Sequence, residues 1–287
     1  MIGVFVIPML SDNFSYYVYT KGNIQQGFFV DVSEPEKLTA FTTALQITTV
    51  SHILTTHKHG DHSGGNQSLA TQIGSTLKIV GGANDNIPAC NHPVNDGDKL
   101  DDILPGVEIT CLHTPCHTRG HILYYLDSQE ESKSDFTITQ EKGYQHIQNI
   151  NRCVFTGDTV FLGGCGRFFE GTAEQMLSAL DRFGALPDDT KVFCGHEYSV
   201  KNLEFGMMAE PSNPYIKEWH SKFAEMNENR VHTVPGTVAT EKLINVFMRT
   251  RVESIQRELV KSDDPVKCMA FLREFKNTGA LPGSAKI

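Results

Sequence analysis

The sequence predicts an α/β protein with a smaller C-terminal all-α domain, and we place the boundary between residues 1–197 and 198–287. Residues 1–197 contain several consecutive strand-like stretches and few long helices, which favours α/β or α+β layers over a helical bundle. From residue 198 the apolar residues take helical spacing instead. The 287 residues are enough for one ordinary domain and a small companion.

The predicted strands are rich in β-branched and aromatic residues, which favour the extended backbone. They are residues 2–7, 15–20, 27–32, 52–55, 77–80, 107–112, 121–126, 153–157 and 191–194. One helix is predicted at 34–46, where Pro35 stands near the start and Leu38, Phe41 and Leu45 follow at helical spacing.

Residues 127–152 are polar and nearly free of apolar core positions, so we expect a surface insertion between two strands, either a long loop or a hairpin. In the second domain, helical spacing predicts helices at 214–228, 239–261 and 264–276, the last of them opened by Pro265.

Composition excludes several classes of function. The net charge of −9 argues against a nucleic-acid groove, and no apolar run is long enough to span a bilayer. The N-terminal stretch lacks a basic region and is broken by Pro8, so no signal peptide is expected. The seven cysteines form no CxxC pair, which is typical of a reduced protein. We therefore expect a cytoplasmic protein, by default a monomer, without nucleic-acid or membrane partners.

The strongest motif is HxHxDH, formed by His57, His59, Asp61 and His62 directly after the apolar strand 52–55. Imidazole and carboxylate are ligands for zinc, iron or manganese. One tight loop cannot easily wrap all four groups around a single ion, so His57 and His59 are expected to face one ion, and Asp61 and His62 a neighbouring ion. A chance cluster on a solvated loop is the alternative, and the ligand types and spacing disfavour it.

Three further candidate ligands each follow a strand-like stretch, namely His117, Asp158 and His196. A lone histidine at such a position is more often a surface or hydrogen-bonded residue than a ligand. These residues are better candidates in combination, because together they would complete a binuclear site for which the first loop alone supplies too few ligands.

The order of these motifs resembles the metallo-β-lactamase superfamily, and more closely the glyoxalase II (hydroxyacylglutathione hydrolase) family. The resemblance runs nearly end to end, through LSDNFSYYV, the His loop, TPCHTRGHI, VFTGDTVFLGGCGRFFEGT, CGHEY and FMRTR. It is weak only in the stretch 127–152. It implies an αββα sandwich of the metallo-β-lactamase type for the first domain.

The resemblance also implies a mechanism. His57, His59 and His117 would hold one divalent metal, Asp61, His62 and His196 a second, and Asp158 would bridge both beside a shared water. Zinc is the expected metal, with iron and manganese as alternatives. Asp61 and Asp158 would be the catalytic carboxylates, because the metals they hold generate hydroxide at neutral pH. That hydroxide would cleave S-D-lactoylglutathione and similar thioesters to glutathione and the hydroxy acid, the second step of methylglyoxal detoxification.

The family's glutathione-binding positions correspond to Arg167, Phe169, Tyr198, Arg273 and Lys276. Arg167 replaces a common lysine and Phe169 replaces a tyrosine of some members, so one hydroxyl is lost. Without the resemblance, Arg273 and Lys276 would be interpreted as a solvated helix face. A second departure lies in the His loop, where Lys58 and Gly60 replace the histidine and the aromatic residue of many members; we expect metal binding to survive both changes.

The remaining histidines have less support. His121 is expected to have a structural or supporting role, Cys116 to pack, and His52, His92, His113 and His146 match no motif. A persulfide dioxygenase-like iron enzyme acting on glutathione persulfide is the main alternative, although it uses one iron and would lack a helical tail with Arg273 and Lys276. A β-lactamase would be secreted, and a binding module would have lost a ligand. Metal content near two per chain would exclude the mononuclear enzyme.

Overall fold

The computed structural model describes residues 1–129 and 136–282. Its strands are β1 (Ile2–Met9), β2 (Asn13–Thr20), β3 (Gln26–Val30), β4 (Thr49–Thr55), β5 (Lys78–Gly82), β6 (His92–Val94), β7 (Glu108–His113), β8 (Ile122–Asp127), β9 (Thr137–Glu141), β10 (Tyr144–Ile150), β11 (Arg152–Gly157), β12 (Val160–Phe161), β13 (Gly164–Cys165), β14 (Lys191–Cys194) and β15 (Gly236–Thr237). Its α-helices are α1 (Pro35–Ala44), α2 (Gly60–Ser63), α3 (Asn66–Ile73), α4 (Ala173–Gly184), α5 (Ser199–Ala209), α6 (Pro214–Glu228), α7 (Val238–Ile244) and α8 (Pro265–Thr278).

Within the described residues, the strands form two main sheets and one short hairpin. The larger sheet has the order β6-β5-β4-β3-β2-β1-β10-β9, and the smaller sheet has the order β15-β14-β11-β8-β7. Strands β3 to β6 run parallel, as do β11 and β14, while the other pairs are antiparallel. The carboxyl ends of β4, β11 and β14 therefore open into the loops that carry the candidate ligands.

The two sheets pack face to face. Tyr16 of β2 lies 5.2 Å, between ring centroids, from both Phe155 of β11 and Phe193 of β14, and its hydroxyl donates to the carbonyl of Cys194 at 2.5 Å. On its other face the larger sheet packs Phe29 and other apolar side chains against Phe41 of α1. The predicted α/β class with a C-terminal helical region is confirmed, and the larger sheet lies between helices and the smaller sheet, as the sandwich architecture requires.

The polar stretch 127–152 differs from its prediction, although residues 130–135 lie outside the described part of the chain. It does form a hairpin, β9–β10, but β10 pairs with β1 inside the larger sheet, and Ile147 is fully buried. The expectation that this stretch is nearly free of core residues was therefore wrong. The strand was not recognised because it buries polar side chains, which is possible when they are hydrogen-bonded. Gln145, for example, donates to the carbonyl of Val234 at 2.6 Å.

The predicted helix 239–261 is also wrong as a single element. It divides into α7, a 3₁₀ turn at Val246–Arg249 and a π-helical turn at Ser254–Val260. Asn245 ends the first piece because its backbone is extended, and its side chain accepts a hydrogen bond from the amide of Phe247. Helices α4 and α5 were not predicted, although Thr172 and Gln175 form a capping box at the start of α4.

The C-terminal helices contact the β12–β13 hairpin, which lies between Asp158 and Arg167 in the chain. Asn202 of α5 donates to the carbonyl of Leu162 at 3.0 Å, and Asn245 donates to that of Gly164 at 2.9 Å. The carboxyl group of Glu241 accepts the amide of Gly163 at 2.9 Å. Among the helices of the described ranges, none is long and apolar enough to cross a lipid bilayer.

Candidate metal centre

The first donor group consists of three histidines from two loops. His57 and His59 follow β4, and His117 lies between β7 and β8. Both His57 Nε2 and His117 Nε2 lie 3.0 Å from His59 Nδ1. Burial lowers the pKa values of His57 and His117, so both rings are neutral at pH 7 and offer lone pairs. Three neutral imidazoles with converging nitrogens suit a divalent metal.

The second group combines a carboxylate with two histidines. Asp61 Oδ2 lies 3.3 Å from His196 Nε2 and 3.5 Å from His62 Nε2. The contact with His196 holds the pKa of Asp61 well below its usual value. The donor atoms of these three residues all lie within 4.8 Å of one another, as do those of the first group.

Asp158 lies between the two groups. Its Oδ2 is 3.4 Å from His117 Nε2, and its Oδ1 is 3.2 Å from His62 Nε2 and 3.4 Å from His196 Nε2. Oδ1 is buried and has no hydrogen bond of good geometry in the described part of the chain. A buried carboxylate oxygen without a hydrogen bond is costly unless a cation compensates it, so the residues fit a pair of divalent metals.

The charge of the two carboxylates is reflected in the pKa values of the nearby histidines. Burial opposes protonation of His62 and His196, but Asp158 raises the pKa of both, to about 10 for His196, and Asp31 adds to the effect on His62. Burial would also raise the pKa of Asp158, yet His62 and His196 hold it well below the usual range.

Three of the buried candidate ligands use their second ring nitrogen for a fixed hydrogen bond. Nδ1 of His62 donates to Asp31 Oδ2 at 2.8 Å, and Nδ1 of His196 donates to Asp12 Oδ1 at 2.8 Å. Nδ1 of His117 donates to the carbonyl of Arg167 at 3.0 Å. These bonds fix the tautomer and leave Nε2 facing the centre, an arrangement typical of metal-ligating histidines.

Two glycines allow the loops to approach this closely. A Cβ atom at Gly166 would lie 1.9 Å from the carbonyl oxygen of Asp158 and 2.9 Å from His117 Nδ1. A Cβ atom at Gly195 would lie 2.6 Å from Asp158 Oδ1. Any larger residue at either position would therefore displace a candidate ligand.

Sequence reasoning missed four carboxylate or amide side chains that support the centre. Asp31 accepts the amide of Thr56 at 2.7 Å, and Asn13 donates to Asp61 Oδ2 at 2.9 Å. Asp85 accepts the amide of Lys58 at 2.8 Å and that of Gly120 at 3.1 Å, which joins the His117 loop to the His57 loop. Asp12 is the fourth. The one available signal was Asp31, which directly follows the apolar strand β3.

The remaining histidines lie outside the donor groups. His121 is fully buried, and its Nε2 accepts the amide of Asp158 at 3.2 Å, so it positions a candidate ligand, in keeping with its predicted supporting role. His52, His92, His113 and His146 belong to none of the donor groups found in the described residues.

The predicted substrate-binding residues lie around the candidate metal centre, but they do not all line the same groove. Arg167, Phe169 and Arg273 line one open groove of about 480 Å³. The ring of Phe169 is 59% exposed and lies 5.1 Å from the ring of His117, so the groove begins at the first donor group. Tyr198 lies at the second group instead, where it stacks on His196 at 4.7 Å.

The two cations of α8 are less exposed than a solvated helix face would be. Arg273 is 7% exposed, donates to the carbonyl of Cys165 at 3.1 Å, and has a buried Nε without a hydrogen bond in the described structure. Lys276 is half-buried and donates to Asn202 Oδ1; burial lowers its pKa to about 8. Among the described residues no carboxylate forms an ion pair with either side chain, and positive charge held this deep suits an anionic ligand.

Comparison with known proteins gives the same fold. The structure of ETHE1 from Myxococcus xanthus aligns with a TM-score of 0.62 at 21% identity, over 99% of this chain and 93% of that one. The BLEG-1 B3 metallo-β-lactamase aligns with a TM-score of 0.58 at 16% identity, over 85% of this chain and 99% of that one. The facing sheets and the clustered histidines and aspartates thus define a protein of the metallo-β-lactamase fold.

Sequence relatives are more specific. The chain is 38% identical over 275 residues to a protein of Arabidopsis thaliana named hydroxyacylglutathione hydrolase cytoplasmic, covering 96% of this chain and 98% of that one. It is 35% identical over 274 residues to a hydroxyacylglutathione hydrolase of Aliivibrio salmonicida, covering 94% and 97%. A family model described as the hydroxyacylglutathione hydrolase C-terminus matches residues 197–279. The chain belongs to the hydroxyacylglutathione hydrolase family, and the predicted family is confirmed.

Proposed function

We propose that this chain is a thioester hydrolase that converts S-D-lactoylglutathione, and similar 2-hydroxyacyl glutathione thioesters, to glutathione and the free hydroxy acid. The observation that carries the proposal is a groove with Arg167 and Arg273 in its wall that begins at the His57, His59 and His117 group. The names of the full-length relatives support the same reaction. In a cell, this would be the second step of methylglyoxal detoxification.

The proposed metal site follows the geometry described above. His57, His59 and His117 would hold one divalent ion, Asp61, His62 and His196 the other, and the two oxygens of Asp158 face both groups. Zinc is our first choice, with iron or manganese as alternatives, since this donor set suits all three. When bound, such ions lower the pKa of a water molecule and polarise a carbonyl oxygen.

The protein's own residues would bind and orient the substrate. Glutathione carries two carboxylates, and Arg167, Arg273 and Lys276 offer positive charge for them. Phe169 lies beside His59 and His117, at 5.8 Å and 5.1 Å between ring centroids, and would offer an apolar surface to the bound thioester. Tyr198 lies on the opposite side, and its phenol is protonated at pH 7 and can donate a hydrogen bond; burial raises its pKa further, to about 12.

The division of labour between the two predicted domains is part of the proposal. Residues 1–197 would supply the metal site, and residues 198–287 would contribute Tyr198, Arg273 and Lys276 to glutathione binding. We also propose a cytoplasmic monomer, in line with the name of the Arabidopsis relative. A persulfide dioxygenase is less favoured, because the second donor group is complete and the hydroxyacylglutathione hydrolase C-terminus model matches residues 197–279.

The test is an assay of the metal-loaded protein with S-D-lactoylglutathione, following loss of the thioester absorbance. Asp158→Ala should abolish turnover, whereas Arg273→Ala/Lys276→Ala should mainly raise KM, by about tenfold or more. About two metal ions per chain should be measured in the active protein. An inactive parent chain that holds two metals would refute the proposed substrate.

A further inference from the structure

Lys58 occupies a distinctive place, because it stands between the candidate ligands His57 and His59 yet points away from them. Its Nζ lies 2.6 Å from Glu170 Oε1, and both side chains are mostly shielded, at 31% and 26% exposure. We call this ion pair the loop bridge. It joins the histidine loop after β4 to the residue that follows Phe169.

Glu170 makes two further hydrogen bonds in addition to the ion pair with Lys58. Its Oε2 accepts the amide of Arg119 at 2.9 Å, and its own amide donates to the carbonyl of Cys116 at 3.1 Å. Glu170 therefore connects the His57 loop, the loop that carries His117, and its own loop, which carries Arg167 and Phe169. The Glu170 carboxylate accepts one hydrogen bond from an ammonium group and one from a backbone amide. Hydrogen bonds to an ionised group are stronger than those between two neutral groups.

The position of Phe169 depends on this arrangement. Its ring lies 5.8 Å from that of His59 and 5.1 Å from that of His117, while remaining mostly exposed to the groove. An exposed ring is not fixed by packing alone, so the hydrogen bonds of the adjacent Glu170 restrict where it lies. Arg167, on the same loop, is tied at its carbonyl to His117.

We propose that Lys58 is a positioning residue for substrate binding: through the loop bridge it holds the segment Arg167–Glu170, and with it the groove, against the histidine loop. This inference rests on the proposed function, since it assigns the groove to a glutathione thioester. The bridge would set the affinity for the glutathione part without taking part in the chemical step.

A direct role of Lys58 is the competing explanation, in which its ammonium group contacts the anionic substrate. The two explanations predict opposite effects of Glu170→Gln. If Glu170 only neutralises Lys58, its removal frees a cation and should tighten binding. If the loop bridge positions the groove, Glu170→Gln and Lys58→Met should both weaken binding, and the double variant should be little worse than either single one.

The experiment measures the Kd of S-methylglutathione, which cannot be hydrolysed, by calorimetry on the metal-loaded protein. We expect Lys58→Met and Glu170→Gln each to raise Kd by about three- to tenfold, and Lys58→Arg to restore most of the affinity. Metal content should stay unchanged. Lys99→Met is the matched control, since it removes a comparable 2.7 Å pair with Glu108 at the end of β7 remote from His113.

Unchanged Kd values in both variants, tighter binding by Glu170→Gln, or no binding by the parent chain would each overturn the inference. Hydrolysis of S-D-lactoylglutathione by the same samples separates this result from the proposed function. If the parent chain binds S-methylglutathione but hydrolyses nothing, the proposed reaction fails while the loop bridge is still decided by the Kd values. If kcat falls with metal content, Lys58 acts on the metal loop and the inference is wrong.

Discussion

At the scale of single residues, the centre depends on side chains that are not themselves candidate ligands. Asp31 accepts hydrogen bonds from His62 Nδ1, from the amide of Thr56 and from the Thr56 hydroxyl, so both of its carboxylate oxygens are engaged. Removing its charge would leave the His62 ring free to choose the other tautomer, with its lone pair turned away from the centre.

We therefore expect Asp31→Asn to weaken metal binding by about ten- to a hundredfold, because a carboxylate behind a ligand histidine fixes its orientation and raises its basicity. Competition with a chelator of known affinity measures the change. Asp101→Asn, at an exposed position, serves as the control. Equal metal affinity in the Asp31 variant would mean that His62 is held well enough by other contacts.

Glu241 gives a prediction about pH. It is fully buried, and burial raises its pKa from 4.5 to about 8, so the folded chain keeps a proton that the unfolded chain releases. The folded state binds more protons between about pH 4.5 and 8, so the free energy of unfolding should fall as the pH rises through that window and then level off.

Glu241→Gln should remove this component, which is on the order of a few kcal/mol across the window. Denaturant unfolding of both metal-free proteins at pH 5, 7 and 9 gives the comparison. The difference in stability between variant and parent should move in favour of the variant as the pH rises. A difference that is independent of pH would show that Glu241 is ionised in the folded chain.

At the scale of elements, α8 carries the two cations that we propose bind glutathione, and its start is defined by one side chain. Asp264 Oδ1 accepts the amides of Val266 at 2.9 Å and Lys267 at 3.4 Å, and Pro265 follows at the first helical position. The sequence predicted this start closely, because Pro265 is visible without knowledge of the fold.

Asp264→Ala should lower the free energy of unfolding by about 1 kcal/mol, since two amides at the helix start lose their acceptor. Asp264→Asn keeps an acceptor at the same place and should cost much less. Chemical denaturation of the three proteins is the measurement. Equal losses in the two variants would assign the effect to charge near the helix terminus rather than to the cap.

The sequence predicted local motifs, but it did not predict contacts between residues that are distant in the chain. The pattern HxHxDH and the aspartate after β11 were identified because ligand types and spacing are local properties. The strand β10 was hidden, since its pairing with β1 and the bonds of Gln145 involve residues distant in the chain. Likewise Asp85 was missed, because only the folded chain shows that its carboxylate joins the loops of Lys58 and Gly120.

At the scale of the whole molecule, the two sheets are joined by apolar packing and by a few hydrogen bonds across the interface. The hydroxyl of Tyr16 reaches from the larger sheet to the carbonyl of Cys194 in the smaller one. The apolar core between the sheets was predictable in outline from the strand patterns. The choice of partner strands was not, because it depends on which faces fit together once both sheets exist.

Tyr16→Phe should destabilise the protein by about 1–2 kcal/mol, since a buried carbonyl loses its donor. Tyr17→Phe is the comparison, because its hydroxyl donates at 3.0 Å to the carbonyl of Ile24, in the connection between β2 and β3, and therefore makes no link between the two sheets. Thermal and denaturant unfolding of both variants measure the costs. A smaller loss of stability in Tyr16→Phe than in Tyr17→Phe would contradict the claim that the Tyr16 hydrogen bond between the sheets stabilises the sandwich.

The contacts of the β12–β13 hairpin limit how this architecture can be recombined. Three consecutive residues, Leu162, Gly163 and Gly164, have backbone groups that are satisfied by Asn202, Glu241 and Asn245 of the C-terminal region. A foreign helical region grafted after residue 197 would leave those groups unsatisfied next to Asp158 unless it supplied side chains of matching polarity and register. Interchange of the C-terminal region between members of this fold thus requires the hairpin to be transferred with it.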